Sequence, residues 1–286
     1  MISLRDRLTG ASPLCAPLVL NPLMAKMAEA AGFEALYLGG GGLGYAKVVL
    51  EANLNLTEMV QAGIDIGTVT DLPLILDGAA GWGDPMHMHR TINMAEAANF
   101  AAIEIEDQIL PKRAHHHIGI EHMIPRELME SKVREAVAAR RNDEFVIIAR
   151  TNGIRTNNMD DALRRAEGYR KAGADMLLML PRNPEEVLLI GKRLGPPLMY
   201  LSPPGGLKST GLTLEEMGSL GYRIIVDPST PLLAAFEAMA VSYKELAKDF
   251  VDDTRPPDIW RELQRKLHDT IQIDKLLSIE KATVEN

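Results

Sequence analysis

The sequence predicts a (β/α)8 barrel, and three observations predict it. A phrase in which a helix-like stretch ends on Gly or Asn and a short apolar run follows recurs as AAGFEALYL, AANFAAIEIE, KAGADMLLML and SLGYRIIVD. Each Gly or Asn suits the left-handed residue that closes a helix, and each apolar run suits a parallel strand buried on both faces. Eight such runs can be placed along the chain, and four of them end in an ionisable residue. A doubly wound open sheet is the alternative that the same alternation allows.

Taken in order, the strands fall near 16–20, 35–38, 73–77, 102–106, 145–150, 175–180, 197–201 and 222–226. Amphipathic stretches at 22–31, 56–69, 86–99, 126–141, 158–172, 183–194 and 229–246 supply the crossover helices that parallel strands require. After them VDDTRPPDIW reads as a charged, proline-containing linker, and IWRELQRKLHDTIQIDKLL as one further helix of about five turns. The expected division is a barrel over 1–246 and a linker with a helical extension over 247–286, the extension covering the barrel's outside or crossing to a neighbouring subunit. The length of 286 residues suits this, since such barrels commonly take about 250.

Composition narrows the function classes. With 46% hydrophobic and 24% charged residues the chain has material for a sizeable core. The net charge of -8 and the scatter of its basic residues argue against nucleic acid. Cys15 is the only cysteine, which excludes an intrachain disulfide and a cysteine-based zinc site and fits a reducing cytoplasm. Neither a secretory leader nor a run of about 20 apolar residues is evident, so no membrane association is expected.

In a barrel of this kind, chemistry is carried at the last residue of each strand and in the loop after it. Those positions hold Asp77, Glu106, Arg150 and Asp227. A charge at the mouth of a low-dielectric barrel is costly unless it meets a ligand, a metal or a partner. Asp77 and Glu106, from neighbouring strands, make a hard-oxygen pair for Mg²⁺ or Mn²⁺. Arg150 can clamp a carboxylate or phosphoryl group through its planar fork. A structural ion-pair network at the rim reads the same residues without a ligand. The run Gly39 to Gly42 after ALYL offers backbone amides to a ligand oxygen or is simply a flexible loop. It lacks the spacing of a nucleotide site.

Of the histidines, His115, His116 and His117 are adjacent and His87 and His89 stand two apart, spacings that match no zinc motif. One histidine of the 115–117 run acting as acid, base or substrate contact is the better reading, because that loop follows Glu106.

The segments IEIEDQILPKRAHHHIG and FVIIARTNG, with LYLGGGG and PLILDGAAGWG, resemble the isocitrate lyase / phosphoenolpyruvate mutase superfamily. There a strand ending in I-E-D-Q leads to a K-[KR]-C-G-H loop, a later strand ends in A-R-T-[DN], and earlier ones carry Y-x-S-G-G and P-x-x-x-D-x-D-T-G-[FYW]-G. The match in order and spacing runs from about residue 16 to 170. The resemblance implies a Mg²⁺-dependent enzyme acting on small 2-oxo or 2-hydroxy acids through an enolate, and a homotetramer of dimers that exchange a C-terminal helix. It assigns Asp77 and Glu106 to metal binding, Tyr37, Gly39, Gly40 and Gly41 to the substrate pocket, Arg150 to substrate binding and catalysis, and Lys112, His115 and His116 to the catalytic loop.

Several positions depart from the family pattern. Ala114 stands where the lyases carry their catalytic cysteine, and His115 where their glycine follows. The second metal aspartate is Ala79, its threonine Ala80, and the pocket serine Gly39. Leu50 and Glu51 stand where an acid often joins the metal shell; Arg182 replaces a glutamate, and Leu201 and Ser202 fall near an expected asparagine. Ordinary isocitrate cleavage is therefore not expected. The expected activity is carbon–carbon cleavage or decarboxylation, with phosphonopyruvate mutase or hydrolase chemistry, or a non-catalytic ligand-binding relative, as alternatives.

Overall fold

The computed structural model describes residues 3–156 and 158–285. The chain forms two compact units, one extending to Thr230 and the other starting at Pro231. The first carries α1 (Leu4–Arg7), β1 (Leu14–Pro17), α2 (Pro22–Ala30), β2 (Leu36–Leu38), α3 (Gly40–Lys47), α4 (Leu56–Gly67), β3 (Leu74–Asp77), α5 (Met88–Ala97), β4 (Ala102–Glu106), α6 (Arg126–Ala139), β5 (Val146–Thr151), α7 (Met159–Lys171), β6 (Met176–Met179), α8 (Pro184–Leu194), β7 (Leu198–Leu201), α9 (Leu214–Ser219) and β8 (Tyr222–Asp227).

The strands form one eight-stranded sheet in the order β1-β8-β7-β6-β5-β4-β3-β2, and each paired neighbour is parallel. A parallel bridge between Leu18 and Tyr37 joins the two ends, with the amide of Val19 donating to the carbonyl of Tyr37 at 2.9 Å. The ring excludes the open doubly wound sheet. Every residue of β3, β4, β5 and β6 is buried, as expected of strands covered on both faces. Each Leu or Ile so placed contributes about 1.5–3 kcal/mol of burial energy.

The recurring helix-to-strand phrase has its expected backbone. Gly32, Asn99, Gly173 and Gly221 take φ values of 91°, 60°, 111° and 94°, the left-handed region that closes a helix and redirects the chain into the next strand. Helix starts are equally local in origin. The side chains of Asn21, Asn158 and Asn183 accept amide hydrogens from the first turns of α2, α7 and α8. Asn55 with Glu58 and Thr213 with Glu216 form reciprocal capping boxes on α4 and α9.

Three sequence expectations are corrected. The first strand lies at Leu14–Pro17, not 16–20, because beyond Pro17 only Leu18 bridges to β2. The short helix α9 between β7 and β8 is absent from the expected set, although its T-L-E-E capping sequence announces it. The glycine run does not form a loop: Gly39 caps α3 in extended conformation and the helix starts at Gly40.

The second unit comprises α10, which runs Thr230–Asp249 and so begins on the last residue of the first, α11 (Pro257–Thr270) and α12 (Ile273–Thr283). The single five-turn helix expected here is two helices, divided at Gln272, whose φ is 55°. Ser242 donates to Asp252 at 2.5 Å across the turn after α10, and the Arg255 guanidinium lies 5.7 Å from the Trp260 ring centroid. No described side chain of this unit is buried, and Phe236, Tyr243 and Phe250 are among its exposed apolar residues.

Candidate active site

Asp77 ends β3 and is 7% exposed. Its Oδ2 accepts from the Gly40 amide at 2.9 Å and its Oδ1 from the Ala79 amide at 3.0 Å. The first amides of a helix lack intrahelical partners and carry partial positive charge, so α3 steadies the carboxylate. The Gly40 amide is thus engaged by Asp77. A Cβ at Gly40 would stand 2.8 Å from Glu51 Cγ, which explains the bare backbone there: it lets Glu51 enter. Gly41 sits beside the same side chain, while a Cβ at Gly39 would lie 3.0 Å from the Tyr37 ring.

Strand β4 contributes two carboxylates. Glu104 and Glu106 are two residues apart and therefore share a face. Glu104 Oε1 accepts from Arg150 at 2.8 Å, and its Oε2 accepts from the Tyr37 hydroxyl at 3.0 Å. Glu106 pairs in register with Arg150 on β5, its Oε2 lying 3.2 Å from Arg150 Nε and accepting from Asn152 Nδ2 at 2.9 Å. Its Oε1 lies 2.6 Å from Lys112 Nζ, which also donates to Glu51 Oε1 at 2.6 Å. The sequence reading omitted Glu104 and Asn152. The alternation I-E-I-E was the available signal for the first, since it places both acids on one face.

The electrostatics follow from burial and from which charge stands nearby. Burial pushes the carboxyls of Glu104 and Glu51 up to about 7, with negative neighbours adding to the effect and Arg150 or Lys112 opposing it. Burial also opposes ionisation of Glu106, but Arg150 and Lys112 outweigh it and hold that carboxyl well below its usual range. The same carboxylates overcome the burial of Lys112 and Arg150 and keep both firmly cationic. Four carboxylates (Glu51, Asp77, Glu104, Glu106) face two cations, so full ionisation would leave two negative charges uncompensated in a buried place.

That excess is the chemistry a divalent cation would satisfy. Among the described residues, no three acidic, histidine or cysteine side chains are grouped so as to hold an ion alone. Mg²⁺ typically needs only one or two protein carboxylates plus water and substrate oxygens, and all the acids here are hard oxygen donors. Glu106 Oε1 has the Lys112 ammonium at 2.6 Å as its close partner. The residues fit the ion: Asp77 and Glu106 could hold it, with Glu51 next to Lys112 nearby.

The side chains of His115 and His116 make their contacts within the loop, not with the strand-end acids. His115 is exposed and its Nδ1 stands 3.2 Å from His122 Nε2. His116 Nδ1 stands 3.0 Å from Glu121, which also accepts from Arg155 at 2.9 Å. Lys112, from the same loop, is the member that reaches the acids. Asp227 does not join the site: its Oδ1 accepts from the amides of Ser229 and Thr230 at 3.0 and 2.8 Å, turning the chain out of β8.

Residues 4–247 match the family model described as phosphoenolpyruvate phosphomutase. The chain is 32% identical over 252 residues to 2,3-dimethylmalate lyase of Eubacterium barkeri, covering 86% of each chain. It is 32% identical over 256 residues to 2-methylisocitrate lyase of Aeropyrum pernix, covering 87% of this chain and 82% of that one. Its fold superposes on phosphonopyruvate hydrolase in complex with oxalate and Mg²⁺ with a TM-score of 0.84, at 28% identity over 99% of this chain and 98% of that one. For oxaloacetate acetylhydrolase bound to 3,3-difluorooxalacetate the TM-score is 0.83, at 26% identity over 98% and 95%.

Proposed function

The chain belongs to the phosphoenolpyruvate phosphomutase family, within the isocitrate lyase / phosphoenolpyruvate mutase superfamily, and from that premise we propose that it is a Mg²⁺-dependent carbon–carbon lyase. Its substrate is a small 2-oxo or 2-hydroxy carboxylic acid, cleaved or decarboxylated through an enolate. The observation that carries this reading is the buried excess of carboxylates over cations at the ends of β3, β4 and β5. The relatives support it by their substrates and ligands: dimethylmalate, methylisocitrate, oxalate with Mg²⁺, and difluorooxalacetate.

A divalent cation held by Asp77 and Glu106 supplies Lewis-acid stabilisation of negative charge developing on the substrate oxygens. Arg150 offers its guanidinium to the substrate carboxylate while Glu104 and Asn152 fix its direction. Tyr37 presents a buried hydroxyl beside the pocket glycines, and its burial, with Asp77 and Glu104 nearby, keeps the proton on it. Ala114 offers no proton, so a histidine of the same loop, His115 or His116, would return one to the product carbon, while Lys112 stays charged between Glu51 and Glu106. The exposed apolar residues after Thr230 support exchange of helices in a homotetramer, which light scattering would reveal. No described helix is long and apolar enough to cross a membrane, and the absence of any paired cysteine fits a cytoplasmic enzyme.

The test is a panel of oxaloacetate, 2,3-dimethylmalate, 2-methylisocitrate and phosphonopyruvate with Mg²⁺, following products by NMR. Turnover that chelation and Asp77→Ala both abolish is expected; no turnover of any member would sink the reading. Similarity to phosphonopyruvate hydrolase favours P–C cleavage as the second reading, and a phosphorus-31 signal from inorganic phosphate would select it. Failure to bind Mg²⁺ would leave a non-catalytic ligand-binding relative.

A further inference from the structure

Asp107 follows Glu106 and is fully buried, yet it touches neither Asp77 nor Arg150 in the network described above. Its carboxylate accepts from Thr151 Oγ1 at 2.7 Å, from the Asn152 amide at 3.0 Å and from the Tyr169 hydroxyl at 2.8 Å, and Arg165 lies at 3.4 Å. A carboxylate with no solvent is costly, and this one is satisfied only by binding the end of β5 to α7. The two residues it grips, Thr151 at the end of β5 and Asn152 just beyond it, come directly after Arg150.

Asn152 is the link onward. Fully buried itself, it accepts from Arg150 Nε at 3.0 Å through Oδ1 and donates to Glu106 Oε2 at 2.9 Å through Nδ2. Its amide has one workable orientation, because the flipped group would set oxygen against carboxylate and N–H against N–H. With backbone and amide both fixed, Asn152 sets the angle between the Glu106 carboxylate and the Arg150 guanidinium.

We propose that Asp107 and Asn152 are a positioning pair, Asp107 pinning the end of β5 so that Asn152 holds Glu106 for the cation and Arg150 for the substrate. The inference rests on the metal-dependent reading above. Neither side chain is assigned contact with substrate; they act through Glu106 and Arg150. The second carboxylate of the I-E-D-Q segment thereby has a role distinct from that of the first.

Calorimetric titration of Mg²⁺ in the presence of oxalate, with thermal unfolding in parallel, tests this on the full chain. Asn152→Ala is expected to weaken Mg²⁺ binding on the order of 10–100-fold, the usual effect of removing a group that orients a metal ligand. Asp107→Asn should act in the same direction, and the double variant should bind no more than about threefold more weakly than Asn152→Ala, because the two act in series. A purely structural anchor would lower the melting temperature and leave the affinity of the folded protein unchanged. Should Asp107→Asn fail to fold, Asn152→Ala alone decides. Wild-type binding with unaltered affinity in the variants, or effects that multiply, overturns the positioning role while the metal site stands. Wild type that binds neither Mg²⁺ nor oxalate overturns the site reading and the pair with it.

Discussion

The ends of β2 to β5 and the ends of β6 to β8 are made from the same kind of buried parallel strand, but their charges are satisfied in opposite ways. In the first half most partners come from other strands or from a distant loop: Tyr37 with Glu104, Glu104 and Glu106 with Arg150, and the distant Glu51 with Lys112 of the loop after β4, which also pairs with Glu106. In the second half near partners lie within the same βα unit. Arg182 pairs with Glu186 four residues on, and Asp227 accepts from amides two and three residues on. A local pair satisfies itself wherever it is placed. A cross-strand set exists only once neighbouring strands have paired, and here it holds more carboxyl groups than cations. An ionisable residue at a strand end therefore marks a site when its partners lie on neighbouring strands.

Arg150→Met should have the largest effect. It strips Glu104 and Glu106 of a shared partner, and breaking a buried pair in this way costs about 3–5 kcal/mol. Denaturant unfolding should show that loss together with abolished oxalate binding, whereas Arg182→Met, at a half-exposed guanidinium on the other side of the barrel mouth, should cost less stability and leave oxalate binding unchanged. Equal effects of the two would break the comparison. Next in size, Asp77→Ala should weaken Mg²⁺ by at least about tenfold in calorimetry, removing a carboxylate that would hold the ion. Asp227→Ala should leave Mg²⁺ affinity intact and cost about 1 kcal/mol through lost amide acceptors.

The smallest expected effect is on pH dependence. With its carboxyl raised from 4.5 to about 7, Glu104 keeps a proton in the fold that the unfolded chain has already released. Stability should therefore fall as pH rises between those two values. Glu51 contributes with the same sign, whereas the depressed Glu106 acts only below its ordinary value. Glu104→Gln should flatten the profile of melting temperature across that window, and an unchanged slope would exclude Glu104 as its source.

The barrel and the strand-end trio Asp77, Glu106 and Arg150 were legible because periodicity and helix closure are local, written in runs of about ten residues. The left-handed closures at Gly32, Asn99, Gly173 and Gly221 fall where the sequence placed them. Less visible were features that exist only after folding. The glycine run opens a helix against its own low helix propensity because Asp77 and Glu51 engage it from elsewhere in the chain. Glu104 was hidden inside an apolar run, and Asp107 and Asn152 have partners far off in sequence. The break at Gln272 lies between two isoleucines, with no glycine or proline to announce it.

The close approach of Gly40 to Glu51 bears on inheritance. Because a Cβ at position 40 would stand 2.8 Å from the Glu51 Cγ, no side chain can enter there while the glutamate keeps its place. A lineage can shorten residue 51 first and enlarge residue 40 afterwards, but the reverse order passes through a clash beside the carboxylates. Glycine at 40 and acid at 51 should therefore be lost together or kept together among descendants of this chain, which makes the smallest residue of the pocket a marker for one of its charges.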